Sequence, residues 1–151
     1  MKQYAENKKG RFNYEILEEY EAGIILSGPE VKSVRMGQIS LKESFATISR
    51  GEIWLTNAHI SPYKQAADQD QEPTRPRKLL LSKVEIEKLI GKSQADGMTL
   101  IPLRVYDKHG KIKVEIGLAR GKKKFDKREQ IKKRDLNREI SRDLKDNTRN
   151  R

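Results

Sequence analysis

Charge divides this chain of 151 residues into two unequal parts. Residues 120–151 carry fourteen Lys and Arg against six Asp and Glu, so +8 of the net charge of +11 lies there and +3 lies in residues 1–119. A segment so rich in charge cannot bury enough apolar surface to build a core of its own. We therefore expect one folded domain over residues 1–119, followed by a basic tail over residues 120–151.

The body contains short β-prone runs that are separated by turn residues. Two pairs of runs have the pattern of β-hairpins: residues 45–48 with 53–55 around Arg50-Gly51, and residues 98–106 with 112–116 around His109-Gly110. Pro102 interrupts one run, which places it near an edge or a bulge because proline cannot donate to a sheet ladder. The pattern predicts a mainly β fold, an antiparallel barrel that is closed or nearly so.

Two short helices are predicted between the strands. Pro29 follows Gly28 at a position typical of a first helical turn. Ser82 and Glu85 have the spacing of a capping box ahead of an apolar stretch. Residues 64–78 read as a long polar and basic loop, and such a loop is often functional in a compact domain.

The positive charge favours a polyanionic partner, either a nucleic acid or an anionic membrane. A membrane is the weaker candidate, because no apolar run approaches the ~20 residues that span a bilayer and the first residues form no hydrophobic signal segment. Cysteine is absent, which excludes disulfides and thiolate metal sites. A cytoplasmic protein is the simplest expectation.

The sequence offers little for catalysis. His59 and His109 are its two histidines, and neither has the spacing of a metal ligand. We find no phosphate-binding loop of the Walker type and no Gly-x-Ser-x-Gly elbow. We expect no enzyme activity, no catalytic residue, no metal ion and no cofactor.

The basic tail has two features beyond its charge, although a merely solubilising tail stays an alternative at this point. Phe125 stands amid Lys and Arg residues, where a ring can stack on an exposed base. Ile131, Leu136, Ile140 and Leu144 form a narrow helical stripe. Because so small a stripe supports an isolated helix poorly, we expect the tail to be disordered when free and helical when bound.

Five stretches of the sequence stand out as specific motifs: Asn7-Lys8-Lys9, Tyr20-Glu21-Ala22-Gly23, Gly28-Pro29-Glu30-Val31-Lys32, Arg77-Lys78-Leu79-Leu80 and Gly121-Lys122-Lys123-Lys124 with Asp126-Lys127-Arg128. Together they resemble the small protein B family, the SsrA-binding proteins that partner transfer-messenger RNA (tmRNA). The resemblance extends over nearly the whole chain.

This resemblance implies a closed antiparallel OB-like β-barrel with short flanking helices and a basic C-terminal tail. It implies a monomer that binds the tRNA-like domain of tmRNA and delivers it to stalled ribosomes, in contact with small-subunit rRNA near the decoding centre. Family RNA-contact positions match Asn7, Glu21, Leu80, Lys113 and Gly121, to which we add the neighbouring cations Lys8, Lys32, Lys78, Lys122 and Lys123.

The tail is expected to lie in the empty mRNA channel of the ribosome. Its expected ribosome-contacting residues are Lys124, Phe125, Asp126, Lys127, Arg128, Ile131, Lys132, Lys133 and Arg134. Phe125 stands where some relatives carry His, so stacking is possible there and proton transfer is not. A generic binder of structured RNA is the alternative function.

Overall fold

A ring of paired strands forms the body of the protein. The structure is a computed structural model that describes residues 2–64 and 72–122 and, in the tail, residues 131, 132, 134–136 and 138. In chain order the elements are β1 (Gln3–Glu6), α1 (Lys8–Asn13), β2 (Tyr14–Ile24), α2 (Gly28–Arg35), β3 (Ile39–Ser40), β4 (Phe45–Ser49), β5 (Glu52–Thr56), β6 (His59–Ile60), β7 (Arg77–Leu80), α3 (Lys83–Ser93), β8 (Met98–Lys108) and β9 (Lys111–Gly121).

Among these elements, six strands pair in the order β8-β4-β5-β7-β2-β9, and β9 pairs again with β8, which closes the ring. Every pairing in the ring is antiparallel. Strand β1 joins the ring through β8, and β3 and β6 form a separate small sheet. The predicted mainly β fold with short helices is confirmed.

Both predicted hairpins are present, and their turns explain their sequences. Arg50 and Gly51 join β4 to β5 with φ of 52° and 74°, and His109 and Gly110 join β8 to β9 with φ of 53° and 79°. Two residues in the left-handed region give the turn that matches the right-handed twist of the flanking strands. His109 is therefore a turn residue, as the sequence indicated.

The ring encloses the main apolar core. Ile53, Leu55, Val114 and Ile116 have no exposed surface, and Leu89 of α3 is equally buried in the same cluster. Burying each such side chain contributes about 1.5–3 kcal/mol. Both predicted helix starts are confirmed: Ser27 and Ser82 cap α2 and α3, each within a capping box.

Pro102 lies within β8, where the register with β9 shifts between Pro102 and Arg104. The predicted bulge is thus confirmed. A bulge leaves one residue without a ladder partner, and here that residue is Leu103, because Pro102 pairs with Ile116 and Arg104 pairs with Glu115. The Pro102 carbonyl still accepts a hydrogen bond, at 2.9 Å from Asn7 Nδ2.

The predicted loop over residues 64–78 is wrong at its end, because β7 begins at Arg77. The Arg77 side chain is fully buried, and its Nε lies 2.6 Å from Glu30 Oε2. Its two terminal nitrogens donate to the carbonyls of Ala58 and Pro73, each at 2.8 Å. A basic residue that reads as part of an exposed loop instead joins α2 to the ring. Residues 65–71 lie outside the described residues.

Two compact units divide the chain, Met1–Gly121 and Lys122–Arg151. Strand β9 continues to Gly121, past the start of the tail that the charge pattern suggested. Within the second unit, residues 131, 132, 134–136 and 138 have helical backbone, and Lys122 does not. Ile131 and Leu136 of the predicted stripe are 38% and 56% exposed, while Ile140 and Leu144 lie outside the described residues.

Candidate nucleic-acid interface

Three neighbouring strands bring predicted RNA-contact residues together. Gly23 of β2 is paired in register with Leu80 of β7 on one side and with Lys113 of β9 on the other. Leu80 is 48% exposed although it is a large apolar residue. Because Gly23 has no side chain, the surface between Leu80 and Lys113 is hollow.

This hollow is a cavity of about 400 Å³. We call it the β2 cavity, and its lining residues are Gly23, Ile24, Leu26, Val31, Arg35, Leu80, Gly110, Lys111, Ile112 and Lys113. Five of the ten lining residues are large and apolar, and three are cations, Arg35, Lys111 and Lys113. An apolar surface that can meet a base or a ribose, beside cations that can meet phosphates, is the combination that RNA-binding surfaces use.

Helix α2 and the β8–β9 turn face each other across this cavity. Arg35, the last residue of α2, donates from Nη2 to the Gly110 carbonyl at 2.9 Å. The start of α2 is fixed by Ser27, which caps the helix, and by Glu30, which accepts hydrogen bonds from the Ser27 N–H and from Arg77. The position of Arg35 therefore depends on contacts made at the opposite end of its helix.

Glu21 lies two residues before Gly23 on the same strand, so both face the same side of the sheet. Its carboxylate accepts hydrogen bonds from the Tyr106 hydroxyl and from Lys108 Nζ, the latter at 3.2 Å. The Tyr106 hydrogen bond, helped by Lys108 and the charge of Lys113 against a smaller opposing effect of burial, holds the pKa of Glu21 below its usual range. Glu21 is thus an anion at neutral pH and can accept from base amino groups.

A network of charges continues from Glu21 along the outer face of the sheet. The Arg104 guanidinium lies 4.5 Å from the centre of the Tyr106 ring. Arg104 Nε also donates to Glu115 Oε2 at 2.9 Å, and Arg11 reaches the other oxygen of Glu115 at 3.2 Å. Glu115 is directly opposite Glu21 in the β2–β9 ladder, so these cations separate two carboxylates that would otherwise repel.

Asn7 has a clear structural role. Its Oδ1 accepts from the Gly10 N–H at 2.9 Å, which caps α1, and its Nδ2 donates to the Pro102 carbonyl at 2.9 Å. The residue is 7% exposed. It lines a second cavity, of about 330 Å³, that also contains Lys9, Phe45 and Tyr14. Because Tyr14 pairs with Gly121, Asn7 and Gly121 belong to the same side of the molecule.

The remaining predicted cations are spread over the surface of the ring. Lys8 is exposed at the start of α1. Lys32 is exposed on α2, with Nζ 5.3 Å from the centre of the Tyr63 ring. Lys78 shares a face of β7 with Leu80 and bonds to Glu52 at 3.1 Å. The structure thus joins Glu21, Leu80 and Lys113 in one site and leaves these three lysines apart from its cavity lining.

The predicted tail residues lie only partly within the described part of the chain. Lys122 is described and partly buried, and Ile131, Lys132 and Arg134 are exposed in the described part of the tail. The other tail residues lie outside the described residues: Lys123, Lys124, Phe125, Asp126, Lys127, Arg128 and Lys133.

Sequence reasoning missed several residues that shape the site, namely Arg35, Arg104, Tyr106, Lys108 and Lys111. Lys111 alternates with apolar residues along β9, and this alternation was a usable signal that it faces outward. Tyr106 ends a long apolar run and reads as a core residue. Its hydrogen bond to Glu21 joins residues 85 positions apart in the chain, and no local pattern encodes such a pairing.

The part of the chain that the structure describes has neither a metal-binding cluster nor a membrane-spanning helix. No group of three or more His, Asp or Glu side chains in this part of the chain is placed to hold a metal ion. No helix in this part of the chain is long and apolar enough to cross a bilayer.

The chain is a small, basic β protein with a surface cavity that combines apolar side chains with cations. These features are typical of the class of nucleic-acid-binding proteins. The SmpB protein family matches residues 4–146, and the chain belongs to this family. The SsrA-binding protein of Acetivibrio thermocellus is 55% identical over 96% of this chain and 94% of its own length. That of Sulfurihydrogenibium sp. is 57% identical over 93% of each chain.

A solved structure has the same fold. It is described as "tmRNA-SmpB: a journey to the center of the bacterial ribosome", and it is 49% identical to this chain with a TM-score of 0.65. The match covers 79% of this chain and 84% of the other.

Proposed function

We propose that this protein binds the tRNA-like domain of tmRNA and delivers it to stalled ribosomes for trans-translation, which rescues the ribosome and tags the incomplete polypeptide for degradation. Its relatives are named for SsrA binding, and a structural neighbour is described together with tmRNA and the ribosome. The observation that carries the proposal is the register of Leu80, Gly23 and Lys113 on three adjacent strands.

The β2 cavity supplies the main RNA contact in this proposal. Lys113, Lys111 and Arg35 meet phosphates, and each neutralised phosphate releases counterions. Leu80 packs against a base or a ribose that leaves the helical stack. Glu21 accepts hydrogen bonds from base donors, which gives the contact a sequence-dependent part that the cations lack.

A second RNA contact lies around Asn7, Lys8 and Gly121. Because both polar atoms of the Asn7 side chain already bond within the protein, Asn7 contributes by holding α1 and its lysines in place. Lys32 and Lys78 contribute charge to the RNA contact, as do Lys122 and Lys123 at the start of the tail.

The architecture proposed for the ring is an OB-like β-barrel, formed by residues 1–119, with residues 120–151 as a separate basic tail. The tail is disordered when the protein is free and becomes helical in the empty mRNA channel, beside small-subunit rRNA near the decoding centre. Its proposed ribosome contacts are Lys124, Phe125, Asp126, Lys127, Arg128, Ile131, Lys132, Lys133 and Arg134.

The protein in this account is a cytoplasmic monomer that acts by binding alone. It uses no cofactor and catalyses no step, since peptide transfer is ribosomal. The stability of its complex depends on salt, because phosphate contacts supply much of the affinity.

Recovery of RNA from a bacterial lysate tests the proposal. The tagged protein should recover one dominant structured RNA, tmRNA, and a variant with Lys113→Glu and Leu80→Asp should recover much less. A broad mixture of RNAs in the same proportions for both proteins would contradict the proposal.

Truncation tests the separate role of the tail. Removing residues 124–151 keeps all of β9 and the two lysines assigned to the RNA contact, and it should leave affinity for the tRNA-like domain within about threefold while abolishing ribosome rescue in a reconstituted translation assay. If the truncated protein lost most of its RNA affinity, the tail would be an RNA anchor and the proposed division of roles would be wrong.

A further inference from the structure

Tyr106 connects two strands that are not neighbours in the ring. It lies on β8, and its hydroxyl donates to Glu21 on β2, across the intervening strand β9. Tyr106 is itself 3% exposed. The donor of the hydrogen bond to Glu21 is therefore a buried side chain.

The Tyr106 ring is covered on its face by Arg104, while its hydroxyl bonds to Glu21. The Arg104 guanidinium covers the ring at 4.5 Å, and Arg104 is itself fixed by Glu115, with Nε 2.9 Å from Oε2. Burial and the neighbouring Glu21 carboxylate raise the pKa of Tyr106 well above its usual range, so the phenol keeps its proton. The hydroxyl is therefore a donor at neutral pH, on a ring whose position is held by Arg104.

Glu21 has a different partner on its other oxygen. Lys108 Nζ lies 3.2 Å from Glu21 Oε2, and both side chains are substantially exposed, at 43% and 36%. A flexible, solvated lysine exchanges partners easily, whereas a buried phenol does not. One oxygen of Glu21 is thus fixed by the fold, and the other is available to an incoming donor.

We propose that Tyr106 is a positioning residue for RNA recognition, which orients the Glu21 carboxylate beside the β2 cavity so that its second oxygen can accept a hydrogen bond from a base. This inference rests on the proposed function. A long acidic side chain loses rotamer freedom when it binds a ligand, and this loss costs binding free energy. Because the Tyr106 hydroxyl already restricts Glu21 in the free protein, part of that cost does not fall on RNA binding.

Replacing Tyr106 with Phe removes the hydroxyl and keeps the ring. Tyr20→Phe is a matched control, because the Tyr20 hydroxyl also donates to a glutamate, Glu18, on the same strand as Glu21, away from the lining of the β2 cavity. With the tRNA-like domain of tmRNA as ligand and the full chain as protein, Tyr106→Phe should weaken binding about three- to tenfold, because the Glu21 side chain must then be ordered when RNA binds. Tyr20→Phe should change the affinity less than about twofold.

A double-mutant cycle separates positioning from a general loss of structure. In a Glu21→Ala background, Tyr106→Phe should cause no further loss of RNA affinity, because no carboxylate is left to orient. The dependence of binding on salt should keep its slope in Tyr106→Phe, since no phosphate contact is removed. Equal losses with and without Glu21, a reduced slope, or an unchanged affinity in Tyr106→Phe would each overturn the inference.

The same titrations separate this inference from the proposed function. If the unaltered protein binds an unrelated structured RNA as tightly as the tRNA-like domain, the proposed function fails. If it prefers the tRNA-like domain and Tyr106→Phe retains that preference and affinity in full, then only the role of Tyr106 is wrong.

Discussion

Leu80 packs across Gly23 so closely that a Cβ added at Gly23 would lie 3.3 Å from the Leu80 Cβ. The two residues are directly paired between β7 and β2. The β2 cavity is therefore open because position 23 carries no side chain, and Leu80 is exposed along its edge. A glycine in the middle of a strand weakens that strand, and here the absence of a side chain maintains a surface.

Filling this position should block RNA without unfolding the protein. Gly23→Val places a branched side chain 3.3 Å from the Leu80 Cβ, which is attached to the backbone of β7 and must shift slightly, so we expect a stability loss of about 1–3 kcal/mol. The affinity for the tRNA-like domain should fall by at least about tenfold. Fluorescence titration and thermal unfolding measure the two effects.

Gly91→Ala is the control for this substitution. Gly91 lies on the exposed side of α3, where an added Cβ meets open space, so alanine should stabilise the protein by about 0.5–1 kcal/mol and leave RNA affinity unchanged. If Gly23→Val bound RNA as well as the Gly91→Ala variant does, the β2 cavity would not be the RNA contact.

The buried ion pair of Arg77 and Glu30 should be the most sensitive polar contact to single substitution. Arg77→Met leaves the Glu30 carboxylate buried with fewer partners, and such a loss costs about 3–5 kcal/mol. Arg75 also bonds to Glu30 but is 31% exposed, so Arg75→Met should cost less than about 2 kcal/mol. Urea unfolding compares the two, and equal losses would show that burial does not set the difference.

Glu30 should also make stability depend on acid pH. Burial alone would favour its neutral form, but hydrogen bonds from the Ser27 N–H, Arg75 and Arg77 outweigh that effect, and the pKa of Glu30 lies below its usual 4.5. A depressed pKa means that the folded state binds its proton less readily than the unfolded state does. The stabilisation is therefore complete above pH of about 4.5 and is lost as pH falls through the folded pKa.

Glu30→Gln tests this dependence, because glutamine does not titrate. The unfolding free energy of the variant should be lower than that of the unaltered protein at pH 7, and the difference should shrink as the pH is lowered below 4.5. Urea unfolding at several pH values measures it. A difference that stays constant down to pH of about 3 would contradict the assignment.

Asn7 should affect stability through two separable hydrogen bonds. Asn7→Ala removes the cap of α1 and leaves the Pro102 carbonyl without its side-chain donor, a loss of about 1–3 kcal/mol. Asn7→Ser restores a capping oxygen and should recover part of that loss. Thermal unfolding of the two variants orders them, and an alanine variant as stable as the unaltered protein would show that α1 does not need its cap.

Local rules predicted a large part of this fold. The two hairpin turns follow from Arg50-Gly51 and His109-Gly110. The start of α2 follows from Gly28-Pro29, and that of α3 follows from the capping box of Ser82 and Glu85. Pro102 predicted the bulge in β8. Each of these signals acts over a few residues, so the sequence displays it directly.

The missed features depend on distant partners. In the sequence, Arg77 looks like another surface cation. Its burial is favourable because it pairs with Glu30, 47 residues away in the chain. Helix α1 is six residues long, too short for a clear periodic pattern, and Asn7 holds it to β8. In the site, Glu21, Leu80 and Lys113 were found through a family resemblance, whereas the contacts of Tyr106 and Lys108 with Glu21 depend on the pairing of β9 with β2, which no local pattern encodes.

Competition between RNAs tests the central claim most directly. A labelled tRNA-like domain of tmRNA is bound to the protein at a fixed salt concentration and displaced by the same unlabelled RNA or by an unrelated structured RNA of equal length. We expect the cognate RNA to compete at a concentration at least about a hundredfold lower, since specific binding exceeds phosphate-driven binding by at least that factor. Equal competition by the two RNAs would show that the protein is a generic RNA binder and would contradict this account.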